Sequence, residues 1–214
     1  MILSSVPPER NQRMKDPENV KGTDNTTNEE VQVQEKRTAM WYVKEILPYV
    51  LIIVAALLLN TFIIINARIP SASMETTIMT GERVFGNRLA YKVSDPKRYE
   101  IAIFKFPDDE SRLFVKRVIG LPGDTIELRN GAVYINGVND MENETFISTN
   151  LGDDFGPYVV PEDCYFMMGD NRAHSNDSRF WDHTCVRKDQ LVGRAGFRYW
   201  PLNKIGFINQ YASN

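Results

Sequence analysis

Residues 46–65 read ILPYVLIIVAALLLNTFIII, a run of twenty positions without a charge. As a helix, at about 1.5 Å per residue, the run is roughly 30 Å long, the thickness of a bilayer's hydrocarbon core. Pro48 falls in the first turn, where a missing N–H costs little. Asn60 and Thr61 are the only polar side chains deeper in the run, and Trp41, Tyr42 and Tyr49 stand where an aromatic belt belongs. A buried helix of this length would show a polar face. A cleaved leader would start near residue 1 with a shorter apolar stretch. The chain is therefore expected to carry one retained transmembrane helix over 46–66, preceded by a polar, disordered tail over 1–45. The small residues Ser71, Ala72 and Ser73 also fit a leader-cleavage pattern, so pattern alone leaves cleavage open. Lys36, Arg37 and Lys44 before the run, against Arg68 and Arg83 after it, tilt the charge rule slightly toward an inside N-terminus.

Beyond the run, residues 67–214 read as one domain. The net charge of −3 argues against nucleic acid as a partner. Alternating, β-branched stretches separated by turns predict a mostly β fold, an antiparallel sheet domain with coiled connections. RVFGNRLAYKV, YEIAIFKFP, RLFVKRVIG, CYFMMGD and GRAGFRYWP are the expected strand regions. TIELRNGAVYING reads as a hairpin, with Asn130-Gly131 supplying the positive-φ pair of a two-residue turn. Residues 139–162 read as an irregular surface excursion, within a larger excursion or small lobe over about 124–165. Cys164 and Cys185 form no C-x-x-C pair, and with His174 and His183 they match no metal-ligand spacing, so two thiols and two surface histidines are expected. A disulfide between the cysteines is compatible with a location outside the cytoplasm.

Three stretches could carry chemistry. IPSASM places Ser71 and Ser73 just past the apolar run, and a serine becomes a nucleophile only with a base. In FVKRVIG, alternation sets Phe114, Lys116 and Val118 on one face and Val115, Arg117 and Ile119 on the other. A lysine among apolar neighbours can lose its charge and serve as that base. The commoner reading of such a lysine is a guard on an edge strand. GDNRAHSNDSR is a polar loop dense in Asp170, Arg172, Asp177 and Arg179, with Ser175 and Ser178 among them. By itself it reads as a turn network.

Taken together, and in this order, IPSASM, FVKRVIGLPGD and MMGDNRAHSNDSRFW resemble the boxes of bacterial type I signal peptidase, a membrane-bound Ser/Lys serine protease. GNRL and VGRAGFRYWP share the likeness, which spans roughly residues 46–214. The resemblance implies that Ser73 is the nucleophile and Lys116 the general base. It implies an oxyanion site from the Ser71 hydroxyl and the Ser73 N–H, and a Ser175 hydroxyl bonded to the lysine. It implies an Asp177–Arg179 ion pair, with Asp170 and Arg172 bracing the loop, and substrate pockets near Ile69, Pro70, Met74, Ile78 and Val115. The substrates would be precursor proteins with signal peptides, cut after small residues in an A-x-A-like pattern. The partners would be the bilayer and the nearby secretion translocon. The tail would lie in the cytoplasm and the β domain outside it, with no cofactor or metal. One departure is visible: Thr76 stands where the family usually has proline. Two rival readings are a soluble self-cleaving repressor, which the apolar run opposes, and a catalytically inactive membrane-anchored β domain that binds exported proteins, which the intact Ser73, Lys116 and Ser175 oppose.

Overall fold

The computed structural model describes residues 25–140, 143, 144, 147 and 154–209, with 25–39 described by their backbone alone. The chain divides into two compact units at residues 53 and 54. Helix α1 runs Asn25–Phe62. Its segment Met40–Phe62 has a mean hydropathy of 2.1 and is long and apolar enough to cross a membrane.

These bounds differ from the expected ones at both ends. Residues 25–45, expected as disordered tail, are helical; the earlier tail lies outside the described residues. At the other end the helix stops at Phe62, and Ile64–Arg68 is strand β1. Isoleucine is apolar in either conformation, so a hydropathy run cannot see where helix yields to strand. The period can. Ile65 is buried, whereas its neighbour Asn66 and the terminal Arg68 are exposed, the alternation of a half-buried strand.

The strands that follow are β2 (Arg83–Asn87), β3 (Ile101–Phe106), β4 (Asp109–Gly120), β5 (Thr125–Arg129), β6 (Ala132–Ile135), β7 (Val138–Asn139), β8 (Phe155–Val159), β9 (Cys164–Met168), β10 (Val186–Arg187), β11 (Leu191–Trp200) and β12 (Gly206–Phe207). A short helix, α2 (Ala90–Val93), takes the part of the RVFGNRLAYKV stretch expected to continue as strand. One sheet has the order β1-β2-β11-β3-β4-β9-β10, with β12 on β11; the other has the order β7-β6-β5-β8. Every pairing is antiparallel. The β5–β6 turn is the one expected, with φ of 49° at Asn130 and 79° at Gly131.

β8 corrects the reading of 139–162 as irregular. Its Gly156-Pro157 pair disguises a strand, yet Phe155 and Tyr158 pack on the core that β5, β6 and β9 share. Burying those two rings outweighs the poor strand propensity of their neighbours.

The first sheet is covered on both faces near the site. Ile101 and Ile103 of β3 point into a cluster with Ile65, Ile69, Met74, Ile78 and Val84. Ala102, Phe104 and Phe106 point into another with Val118, Met167 and Trp181. A strand buried on both faces is rigid, and β4 lies directly beside it.

Candidate active site

The IPSASM stretch leaves β1 and makes a 3-10 turn over Ala72–Met74. Ile69 and Met74 are core residues on either side of it, 3% and 1% exposed. These two anchors hold the serines between them. The hydroxyls of Ser71 and Ser73 lie 3.3 Å apart. Ser73 is buried, while Ser71 is exposed.

The turn is pinned from the opposite side by the Gly-Asp-Asn-Arg loop. Asn171 N–H donates to Ser73 O at 3.1 Å, and Asn171 Nδ2 donates to Ala72 O at 3.2 Å. Gly169 makes the approach possible. A Cβ there would lie 2.4 Å from Ser73 O and 2.2 Å from Ser175 Oγ, closer than non-bonded atoms pack.

β4 passes against the same turn. Lys116 sits opposite Ala102, and its Nζ is 5.9 Å from the Phe114 ring centroid. It is 3% exposed, so it is no edge guard. Burial holds its amine down to about 8, against the opposing pull of Asp177 and Asp170 and with some help from Arg179. An amine titrating near 8, on a strand that passes a serine-bearing turn, has the basicity to accept a hydroxyl proton, which an ordinary lysine lacks.

The acid–base groups of the loop hold its shape. Asp177 accepts from Arg179 Nε at 2.8 Å and NH2 at 3.0 Å, and also from Gly169 N–H at 3.0 Å. Ser178 Oγ accepts from Met167 N–H at 2.9 Å, closing the loop back on β9. Arg117, next to the lysine on β4, forks onto Asp170, with contacts of 2.8 and 2.6 Å. Its NH1 donates to Tyr99 O at 2.7 Å. Thr77 donates to the same Asp170 carboxylate at 2.5 Å.

With that geometry in view, comparison with known proteins is direct. The model of the family described as signal peptidase, peptidase S26, matches residues 41–200. The chain belongs to that family. It is 37% identical over 166 residues to a probable signal peptidase I-2 of Synechocystis sp., covering 75% of this chain and 74% of that one. It is 35% identical over 188 residues to signal peptidase I S of Bacillus subtilis, covering 83% of this chain and 97% of that one. A crystal structure of a signal peptidase I from Enterococcus faecalis aligns at a TM-score of 0.39 and 33% identity, covering 47% of this chain and 97% of that one. As a member of the signal peptidase family, the chain is a hydrolase.

Several expected placements need amendment. The Asp177–Arg179 pair is present. Asp170 and Arg172 belong to the loop but do not pair with each other: Asp170 pairs with Arg117, and Arg172 with the buried Glu144. Arg172 also donates to Gly169 O at 3.2 Å. The expected Ser175–Lys116 hydrogen bond is not made; Ser175 Oγ is buried without a hydrogen-bond partner among the described residues. Ile69, Met74 and Ile78 are core residues with almost no surface to offer a substrate. Only Pro70 and Val115, of that expected pocket set, keep exposed surface.

Arg117, Thr77, Asn171 and Gly169 escaped the reading of the sequence as functional positions. Arg117 had a visible signal, since it sits between Val115 and Ile119 on an apolar face. Glu144 had none, because its partner lies far along the chain.

Proposed function

We propose that the protein removes N-terminal signal peptides from secreted precursors with a Ser73–Lys116 dyad. The observation that carries the reading is the buried amine of Lys116, held near 8 on a strand that abuts the turn bearing Ser73. Neutral Lys116 takes the Ser73 proton as Oγ attacks the scissile carbonyl. The Ser71 hydroxyl and the Ser73 N–H meet the oxyanion, each such donor being worth about 2.7–4 kcal/mol. The lysine then protonates the leaving amine, and a water it activates hydrolyses the acyl-enzyme. Ser175 is a positioning residue: its hydroxyl oxygen, without a partner among the described residues of the resting site, accepts an N–H of the neutral amine during turnover and so leaves the lone pair free for Ser73. Asp177, Arg179 and Asp170 keep the loop in register.

The substrate carries small side chains at the A-x-A-like positions, which need only shallow pockets beside Pro70 and Val115. Met40–Phe62 anchors the enzyme in the bilayer, with the tail in the cytoplasm and the β domain outside, near the translocon. An apolar groove of about 450 Å³ directly follows the helix, lined by Ile63, Ile64, Phe85, Phe197, Phe207 and Ile208. Phe207 is 87% exposed there, which suits a lipid-facing surface.

The test is cleavage of a purified precursor by Ser73→Ala and by Lys116→Ala, each checked for folding. Both should lose cleavage. Turnover surviving in either removes the dyad; intact precursor binding without turnover in the unaltered protein supports the inactive β domain instead.

A further inference from the structure

Cys164 opens β9, and Cys185 stands one residue before β10. The two therefore flank the whole segment that carries Gly169, Asp170, Ser175, Asp177 and Arg179. The register pairs Cys164 with Arg187 and Tyr165 with Val186. Alternation then places Cys185 on the same face as Arg187, and so on the same face as Cys164. Both cysteines enter one apolar cluster with Ile126, Val160 and Phe166. Within it burial first, and then the neighbouring Cys185 thiol, raise the pKa of both the Cys164 thiol and the Tyr158 hydroxyl. Both thiols are free; Cys164 is 7% exposed and Cys185 half-buried. They are diagonal neighbours on that face, about 7–8 Å apart by strand geometry, so a disulfide asks for a shift of about 1 Å at the short edge strand β10.

We infer that Cys164 and Cys185 form a reversible disulfide that closes the segment bearing Ser175 and Asp177 into a ring. The bond stands on the cysteine geometry; its consequence for turnover rests on the dyad reading. The oxidant is a disulfide, either of the thiol-oxidoreductase class or of low molecular weight. Cys185, the more accessible thiol, loses its proton and attacks that disulfide. One donor sulfur leaves as a thiolate, and a mixed disulfide forms at Cys185. Cys164, deprotonated in turn, attacks Cys185 Sγ and expels the second donor sulfur. Two protons pass to the released thiolates, and two electrons pass from the protein to the donor. Burial and the neighbouring Cys185 thiol push the Cys164 thiol up to about 12. The second step is therefore the slow one and quickens with rising pH.

The ring matters because the ends of the site loop are joined across β9 and β10 by only two register pairs. Tying them restricts the unfolded chain and fraying of the edge strand β10 alike.

The experiment uses the full chain in detergent, equilibrated with glutathione mixtures from reducing to oxidising. The readouts are peptide mass spectrometry, a maleimide gel shift for free thiols, and Tm. The expected result is a single peptide pair linked through Cys164 and Cys185, lighter by two hydrogens. It should come with a Tm about 5–10 °C higher, and both changes should reverse with dithiothreitol. Cys185→Ser, at a half-buried site, should give neither the link nor the shift. Thiols that stay free at the oxidising end overturn the inference. Glutathione adducts alone, links only between two chains, or a Tm shift that persists in Cys185→Ser also overturn it. Ser73→Ala should form the same link, so a failed dyad and a failed disulfide are read separately.

Discussion

Lys116 and Arg117 are consecutive residues of β4, equally buried, and treated in opposite ways. Arg117, 1% exposed, has a bidentate carboxylate, a backbone carbonyl and a hydroxyl around its guanidinium. Lys116, 3% exposed, faces the ring of Phe114 and feels Asp177 and Asp170 only through space, too weakly to offset its desolvation. A buried cation that is fully paired holds two segments in register. A buried cation left without a close counter-charge loses its proton readily. One strand thus carries a clamp on one face and the proposed base on the other.

The comparison breaks most sharply through substitution of the lysine. Lys116→Met should reduce precursor cleavage by on the order of 10⁴-fold while raising stability at neutral pH. The folded-state amine titrates near 8 rather than 10.5, so the protonated form opposes folding by about 3 kcal/mol. Urea unfolding at pH 7 measures the change; a destabilised Lys116→Met contradicts the account.

Arg117→Met should do the reverse. It strands Asp170 in the core and should cost about 3–5 kcal/mol of stability, read by the same unfolding curves. If Arg117→Met is as stable as the unaltered protein, the clamp has no structural role.

The pH dependence gives a finer distinction. kcat/KM should rise with pH through about 8 as the base deprotonates. For stability the sign follows from a folded pKa below the unfolded one. The penalty is complete below pH 8 and fades between 8 and 10.5, so this group's contribution makes stability rise over that window. The rise should be absent from Lys116→Met.

The smallest expected effect belongs to Asp177→Asn. Asp177 is the largest influence raising the lysine's pKa. Its removal should shift the acid limb of the kcat/KM profile to lower pH, even as the loosened loop lowers the maximum. An unmoved limb would mean that Asp177 acts only through Arg179 and Gly169.

Much of this was legible in the chain's letters, and particular residues show why. The alternation in FVKRVIG assigned both faces of β4 correctly, because a strand's period of two is local geometry. Asn130-Gly131 announced its turn for the same reason. The end of α1 was missed, because Ile63 to Ile65 are apolar whichever way the backbone goes, and only pairing with β2 makes Ile64 and Ile65 strand. β8 was missed because Gly156 and Pro157 are poor strand formers, and its place depends on rings packing against β9.

By itself the sequence determined an apolar segment able to cross a bilayer, an antiparallel β domain, and three boxes in the order of the signal peptidase family. The tertiary structure alone decided that Asp170 belongs to Arg117 and Arg172 to Glu144. It likewise decided that Ile69, Met74 and Ile78 pack into the core, and that Lys116 is dry enough to titrate near 8. Spacing along a chain sets which face a side chain takes, but desolvation and pairing depend on what other segments bring to within a few ångströms of it.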